Sequence, residues 1–198
     1  MQGYSVLAQE VLETGFRPTH LFIQGGVGGL AAALCAHFWE ALGPEAPRIV
    51  VVEPEAAACL YETALAGRPT VVQGELDTIM AGLACGEVSE VAWEILSRGA
   101  RHFMTISDEA AVSVMRLLAS GGAGFPPIVA GESATAGLSA FLACARAPGL
   151  RLRLGIGGGS RILCIGTEAD TDSDLYARLV GATADDVRAG RLSSTATI

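Results

Sequence analysis

Short apolar runs alternate along this chain with longer stretches in which apolar residues recur every three or four positions. Gln2–Glu13 carries Val6, Leu7, Val11 and Leu12 at helical spacing, with Gly15 beyond it as a stop. Leu21–Gln24 reads as a short strand and Gly29–Leu42 as an alanine-rich helix. Arg48–Val52 is a continuous apolar run, the pattern of a parallel strand covered on both faces. The periodicity then predicts a helix over Glu55–Ala66, a strand over Thr70–Val72, a helix over Val88–Arg98 and a strand over His102–Ile106. Ser107 is placed to N-cap a helix from Asp108 to Ala119. Gly121–Gly124 with Pro126 and Pro127 reads as a loop, Ile128–Ala130 as a short strand and Ser133–Ala145 as a second alanine-rich helix. Arg161–Ile165 is the last buried strand, Leu175–Leu179 and Ala184–Ala189 are helical turns, and Ser193–Ile198 is a fraying tail. Strands alternating with helices predict an α/β fold with a mainly parallel sheet, as one lobe over residues 1–198.

Composition narrows the function classes. A hydrophobic content of 51% with 17% charged residues supports a sizeable core. A net charge of −8 argues against nucleic acid, which such a surface would repel. No apolar run reaches the roughly 18–20 residues that span a bilayer. The N-terminus MQGYSVLAQEVLET has neither a basic region nor an apolar core of a signal peptide, so a cytoplasmic location is expected. Cys35, Cys59, Cys85, Cys144 and Cys164 form no CxxC and no metal spacing, which suits reduced thiols and predicts no metal site. The chain has 13 arginines and no lysine, so a cofactor that needs a lysine for covalent attachment gets none here.

The chemistry centres on Thr19–Ala33, THLFIQGGVGGLAAA, an apolar strand running through a glycine turn into a helix. Amides of such a turn and the helix N-terminus converge on an anion. Two readings follow. In a dinucleotide fold, Gly26-Val27-Gly28-Gly29-Leu30-Ala31 is the phosphate fingerprint, and Glu53, about 20 residues on, is the ribose-binding acid. In a pyridoxal-phosphate site, Gly26–Leu30 is a pocket for one phosphate. The small-residue stretches TIMAGLACGE (Thr78–Glu87) and GESATAGL (Gly131–Leu138) favour the second reading, since a dinucleotide domain has no reason to carry either.

The order GGVGGLA, VVEPE, TIMAGLACGE, AWEIL, GESATAGL and GTEADTD resembles the C-terminal half of the diaminopropionate ammonia-lyases, from Met1 to about Tyr176. These belong to the tryptophan-synthase-β-like (fold type II) pyridoxal-phosphate proteins. The resemblance implies a three-layer αβα lobe with its N-terminal part missing. It implies pyridoxal 5′-phosphate as cofactor, with Gly26, Val27, Gly28, Gly29 and Leu30 around its phosphate. Ala81, Gly82 and Leu83 would border its ring, Glu132 would lie near the ring, and Ser133 would cap the following helix. Ile165-Gly166-Thr167 matches the place where a hydroxyl meets the pyridine nitrogen. Gly166 stands where many relatives have serine, so Thr167 must supply that hydroxyl, and Ala169 replaces an expected glycine.

The same resemblance puts the Schiff-base lysine and the acid–base aspartates upstream, and makes Met1 an internal methionine of a truncated enzyme. It therefore implies no catalytic residue in this chain, although the whole enzyme would convert the amino acid 2,3-diaminopropionate to pyruvate and ammonia. A homodimer is the default assembly. Other features have plainer readings. Asp170 and Asp172 read as a loop or helix cap before a cation site, and Glu53-Pro54-Glu55 as a strand end. Trp39 and Trp93 read as core or interface, and His20, His37 and His102 form no catalytic set. Cys59 and Cys85 follow two strand-side loops and are expected to be neighbours able to form a disulfide.

Overall fold

The computed structural model describes residues 2–121 and 124–191. Four parallel strands form one sheet in the order β3-β2-β1-β4. They are β1 (His20–Gln24), β2 (Arg48–Pro54), β3 (Ala100–Ile106) and β4 (Ile162–Cys164). In register, His20 pairs with Arg48 and Gln24 with Val52, while Phe22 pairs with Cys164 across the other edge of β1. β1 is buried at every position, the mark of a parallel strand covered on both faces.

Alternate side chains of the strands feed two cores. Leu21, Ile23, Ile49 and Val51 pack with helices α1 (Gln2–Glu13), α2 (Gly29–Leu42), α3 (Cys59–Ala66) and α4 (Glu90–Gly99). Phe22, Val50, Val52 and Ile106 pack with α5 (Asp108–Ser120), α6 (Ala136–Arg146) and α7 (Pro148–Leu154). Phe22 meets Phe141 of α6 edge-on at 5.6 Å between ring centroids. A smaller core joins α5 to α8 (Ser173–Val180) and α9 (Ala184–Arg188) through Met115, Ala119, Tyr176 and Val187. The result is a helix–sheet–helix arrangement with a parallel centre, as the alternation of elements predicts.

Several boundaries differ from the sequence expectation. Thr70–Val72 is not a strand; the Val72 amide makes one isolated bond to the Gly86 carbonyl (2.9 Å), too little to found a ladder. Ile128–Ala130 is irregular as well: Pro126 and Pro127 have no amides to donate, and the Ile128 amide goes back to Leu118 (2.9 Å). α3 begins at Cys59, four residues later than Glu55, because Pro54–Ala57 closes a turn first. Ser133–Thr135 is a 3-10 turn preceding α6. α7 has no counterpart among the expected elements, though it has proline at its first turn and a left-handed Gly155 at its end. Ser193–Ile198 lies outside the described residues. Among the described residues, no helix is long and apolar enough to cross a membrane.

Candidate functional site

The chain goes from β1 outward to β2 and β3, then returns to lay β4 on the opposite side of β1. Loops leaving the carboxyl ends of β1 and β4 therefore diverge and open a crevice, the place where parallel α/β sheets bind ligands. The glycine turn leaves β1 there, and Ile165–Thr167 leaves β4 beside it.

Gly25 and Gly28 of the turn each meet a local demand, and Gly29 does not. A side chain on Gly25 would come within 2.7 Å of Val51 and 2.9 Å of Leu60, so the turn leaves the sheet flush against α3. Gly28 is left-handed (φ 95°), and a Cβ there would lie 3.1 Å from Ala92 and 3.2 Å from Leu96 of α4. Gly29 faces open space. The first bond of α2 runs from the Ala32 amide to the Gly28 carbonyl (2.9 Å). The amides of Gly26, Gly28, Gly29, Leu30 and Ala31 consequently have no acceptor among the described residues. These donors, at the positive end of a helix and with no side chain over Gly29, fit a phosphate. Val27 differs. Its carbonyl holds the Ser89 amide (2.9 Å), its own amide faces the Cys85 thiol, and its side chain is exposed.

The other predicted segments converge on this turn through a chain of contacts. A Cβ on Gly26 would sit 3.3 Å from the Gly82 carbonyl and 3.4 Å from Cys85 Sγ, so two glycines let the two backbones meet. The Gly82 amide donates to Ser133 Oγ (3.2 Å), and the Ser133 amide donates to Glu168 Oε2 (2.8 Å). Ser133 thus ties the Gly82 loop in place and does not cap α6, a correction to the expected role. Ala81 and Gly82 are exposed at the crevice, and Thr167 is exposed beyond β4. Glu132 is buried; burial, then the neighbouring Glu168 and Asp172, holds its carboxyl above the usual range. The Gly166 position is open, its nearest neighbour being Ala134 Cβ at 3.7 Å, so the absence of serine there is not a steric demand.

Sequence reasoning passed over Gln24 and Glu168. Gln24 ends β1, is 5% exposed, and donates from Nε2 to Thr167 Oγ1 (2.8 Å). Its Oε1 is buried with no partner, an acceptor turned into the same region. A glutamine closing an otherwise apolar strand just before a glycine turn was the available signal. Glu168 ties its own loop to the Gly131–Ser133 segment, its carbonyl accepting from the Gly131 amide (3.1 Å) and its carboxylate also from Thr171 (3.3 Å).

Other predicted residues stand elsewhere. Glu53 cannot serve a ribose: it is fully buried, and its carboxylate accepts from the amides of Leu60 (2.9 Å) and Tyr61 (2.7 Å) in the first turn of α3. Burial lifts its pKa to about 7 against the pull of those amides and of the Cys59 thiol. This overturns the dinucleotide alternative. All five cysteines are free, and Cys59 and Cys85 are near enough for each to influence the other's ionisation, in line with the expected proximity; Cys59 Sγ donates to the Gly26 carbonyl (3.4 Å) and Glu53 (3.6 Å). Asp172 caps α8 through the Leu175 amide (2.9 Å), and Asp170 pairs with Arg188 (2.5 Å), in line with the plainer reading of both. No metal-binding cluster occurs among the described residues. His20 is structural, with Nε2 on the Leu154 carbonyl (2.8 Å). Trp93 packs on Phe103, whereas Trp39 is 49% exposed.

Comparison with known proteins agrees with this geometry. Residues 1–168 match the family model described as pyridoxal-phosphate dependent enzyme. The diaminopropionate ammonia-lyase of Escherichia coli K12 is 36% identical over 187 residues, covering 91% of this chain and 47% of that protein. A crystal structure of the Escherichia coli lyase, in complex with an aminoacrylate-PLP azomethine reaction intermediate, superposes with a TM-score of 0.81 at 34% identity, over 90% of this chain and 47% of that one. The crystal structure of the T.th. threonine deaminase gives a TM-score of 0.68 at 25% identity, over 86% and 57%. The chain spans about half the length of the curated relatives it matches. The family match across residues 1–168, on a parallel sheet with a row of outward amides at its switch point, places the chain in the family of pyridoxal-phosphate-dependent enzymes.

Proposed function

We propose that this chain is the C-terminal, phosphate-binding part of a lyase that takes 2,3-diaminopropionate to pyruvate and ammonia. The observation that carries the reading is the set of free amides at Gly26, Gly28, Gly29 and Leu30, on a chain 36% identical to a diaminopropionate ammonia-lyase. When bound, pyridoxal phosphate supplies an electron sink for the charge left at the substrate's α-carbon. This chain's residues bind and orient. The amides and the α2 N-terminus hold the phosphate, with Val27 as a spacer between donors. Ala81 and Gly82 keep their side of the crevice free of bulk for a flat ring, and Glu132 contributes a carboxyl kept from ionising easily by its burial. Thr167 accepts from Gln24, so its own proton remains to be offered to a ring nitrogen. A neutral hydroxyl at that nitrogen suits β-elimination, because it does not over-stabilise the carbanion.

With 13 arginines and no lysine, the chain cannot attach the cofactor covalently and is not competent alone. The lysine and the proton-transferring groups come from residues outside it. The free thiols fit a cytoplasmic setting, and a homodimer, with residues 1–198 as one lobe of each subunit, is the assembly we favour. Reconstitution tests the function. Combined with the lysine-bearing N-terminal half of a diaminopropionate ammonia-lyase, the chain is expected to release pyruvate from 2,3-diaminopropionate; alone it releases none. Pyruvate release by the chain alone, or an inactive yet stably assembled complex, contradicts the proposal.

A further inference from the structure

At the other end of the sheet, where strands begin and α2 ends, lies a cleft of about 580 Å³. Trp39, Arg48, Arg98, Arg101, His102 and Arg153 line it, and no carboxylate does. This gathers 4 of the chain's 13 arginines into one place on a molecule of net charge −8. None of the four is in an ion pair among the described residues, where salt bridges belong to Arg188 and Arg191. Arg48 is anchored by one bond to the Leu154 carbonyl (2.8 Å), at the C-terminus of α7. The side chains of Arg98, Arg101 and Arg153 donate no hydrogen bond among the described residues. Glu40 and Glu94 line a neighbouring depression with Arg98, and Glu45 lies in the loop between the lining residues Pro44 and Ala46; among the described residues none of these carboxylates is ion-paired with the four arginines.

Like charges held together without a counter-charge cost free energy that an anion recovers. Guanidinium groups present planar forks matched to phosphate oxygens. The volume lies within the range of small-molecule sites, roughly 300–1,000 Å³. Burial, then the charges of Arg48, His20 and Arg101, holds His102 below the usual imidazole range, which agrees with an excess of positive potential in the cleft. The strand starts that build it are opposite the strand ends that build the glycine turn, about 20 Å apart along the 14 residues of α2.

We propose that this cleft is a second anion site, binding a small phosphorylated compound of two or more negative charges between Arg48, Arg98, Arg101 and Arg153, with the Trp39 indole on its wall. The ligand is distinct from the cofactor, and the site does not depend on the lyase reading. The test titrates inorganic pyrophosphate into the full chain carrying Gly29→Asp, which sets a carboxylate in the glycine turn and leaves the cleft as the phosphate site under test. Tryptophan fluorescence follows binding, and calorimetry confirms it. The expected result is saturable binding with Kd below about 1 mM near 0.1 M salt, weakened at least tenfold by Arg101→Gln and abolished by adding Arg153→Gln. Trp39→Phe is expected to remove the fluorescence change while the heat of binding remains. Circular dichroism checks that the exposed-arginine variants stay folded. Absence of saturable binding, or equal affinity in the double arginine variant, overturns the proposal.

Discussion

Gly28 and Gly29 are neighbours that ask opposite things of a side chain. Gly28 is left-handed and crowded by α4, so Gly28→Ala is expected to cost about 1–2 kcal/mol in urea unfolding. Gly29 opens α2 with space around it, so Gly29→Ala is expected to leave stability unchanged or raise it by up to about 1 kcal/mol. Equal losses at both positions would contradict the geometry of the turn. Glu53 gives the molecule a pH dependence. Its carboxyl rises from 4.5 to about 7 on folding. Below the lower value both states hold the proton, and between the two the native chain holds more. Stability therefore falls as pH climbs from about 4.5 to about 7 and levels off above, by at most about 3 kcal/mol. Burial of Glu132 acts in the same direction. Melting curves from pH 4.5 to 8 should show this slope, and Glu53→Gln should reduce it while lowering stability at pH 5, where an amide leaves one α3 donor unanswered. A flat wild-type profile would contradict the assignment.

Caps connect elements to the turn. Ser89 Oγ accepts from the Ala92 amide (3.4 Å) to start α4, and the Ser89 amide holds the Val27 carbonyl. Ser107 caps α5 in the same manner (3.3 Å) but far along the chain from the turn. Ser89→Ala and Ser107→Ala are each expected to cost about 1 kcal/mol of unfolding free energy. Ser89→Ala alone is expected to weaken retention of pyridoxal phosphate; matched losses in both variants would show that the α4 cap does not support the turn. This element scale also shows what was legible beforehand. β1, β2, α2 and α5 could be read because continuous apolar runs, a glycine turn and a serine cap each specify one local structure. Thr70–Val72 and Ile128–Ala130 have strand-like residues, but strand identity depends on a partner with aligned amides, and sequence does not contain that partner. The glycine turn, Gly82, Glu132 and Thr167 were singled out through their motifs, and their roles toward a cofactor belong to the proposal. Gln24 and Glu168 were not, since each matters through a contact about 143 or 35 residues away. Capping is the commonest local role of a serine at the start of a helix, whereas the Ser133 hydroxyl is used across the crevice.

At the scale of the molecule, strand order decides the chemistry. The return of β4 beside β1 opens a crevice at one end of the sheet, with the amides of Gly26–Ala31 at its base and Gln24–Thr167 at its side. On the proposed function, the chain supplies an anion cradle and a neutral hydroxyl but, having no lysine, no point of covalent attachment. The most direct measurement compares pyridoxal phosphate, pyridoxal and NADH as ligands of the chain by equilibrium dialysis, with and without Gly29→Asp. The expected result is retention of pyridoxal phosphate at least tenfold tighter than either of the others, lost in the variant. Equal retention of pyridoxal, which has no phosphate, or tighter binding of NADH, would contradict the claim that this turn holds a single phosphomonoester.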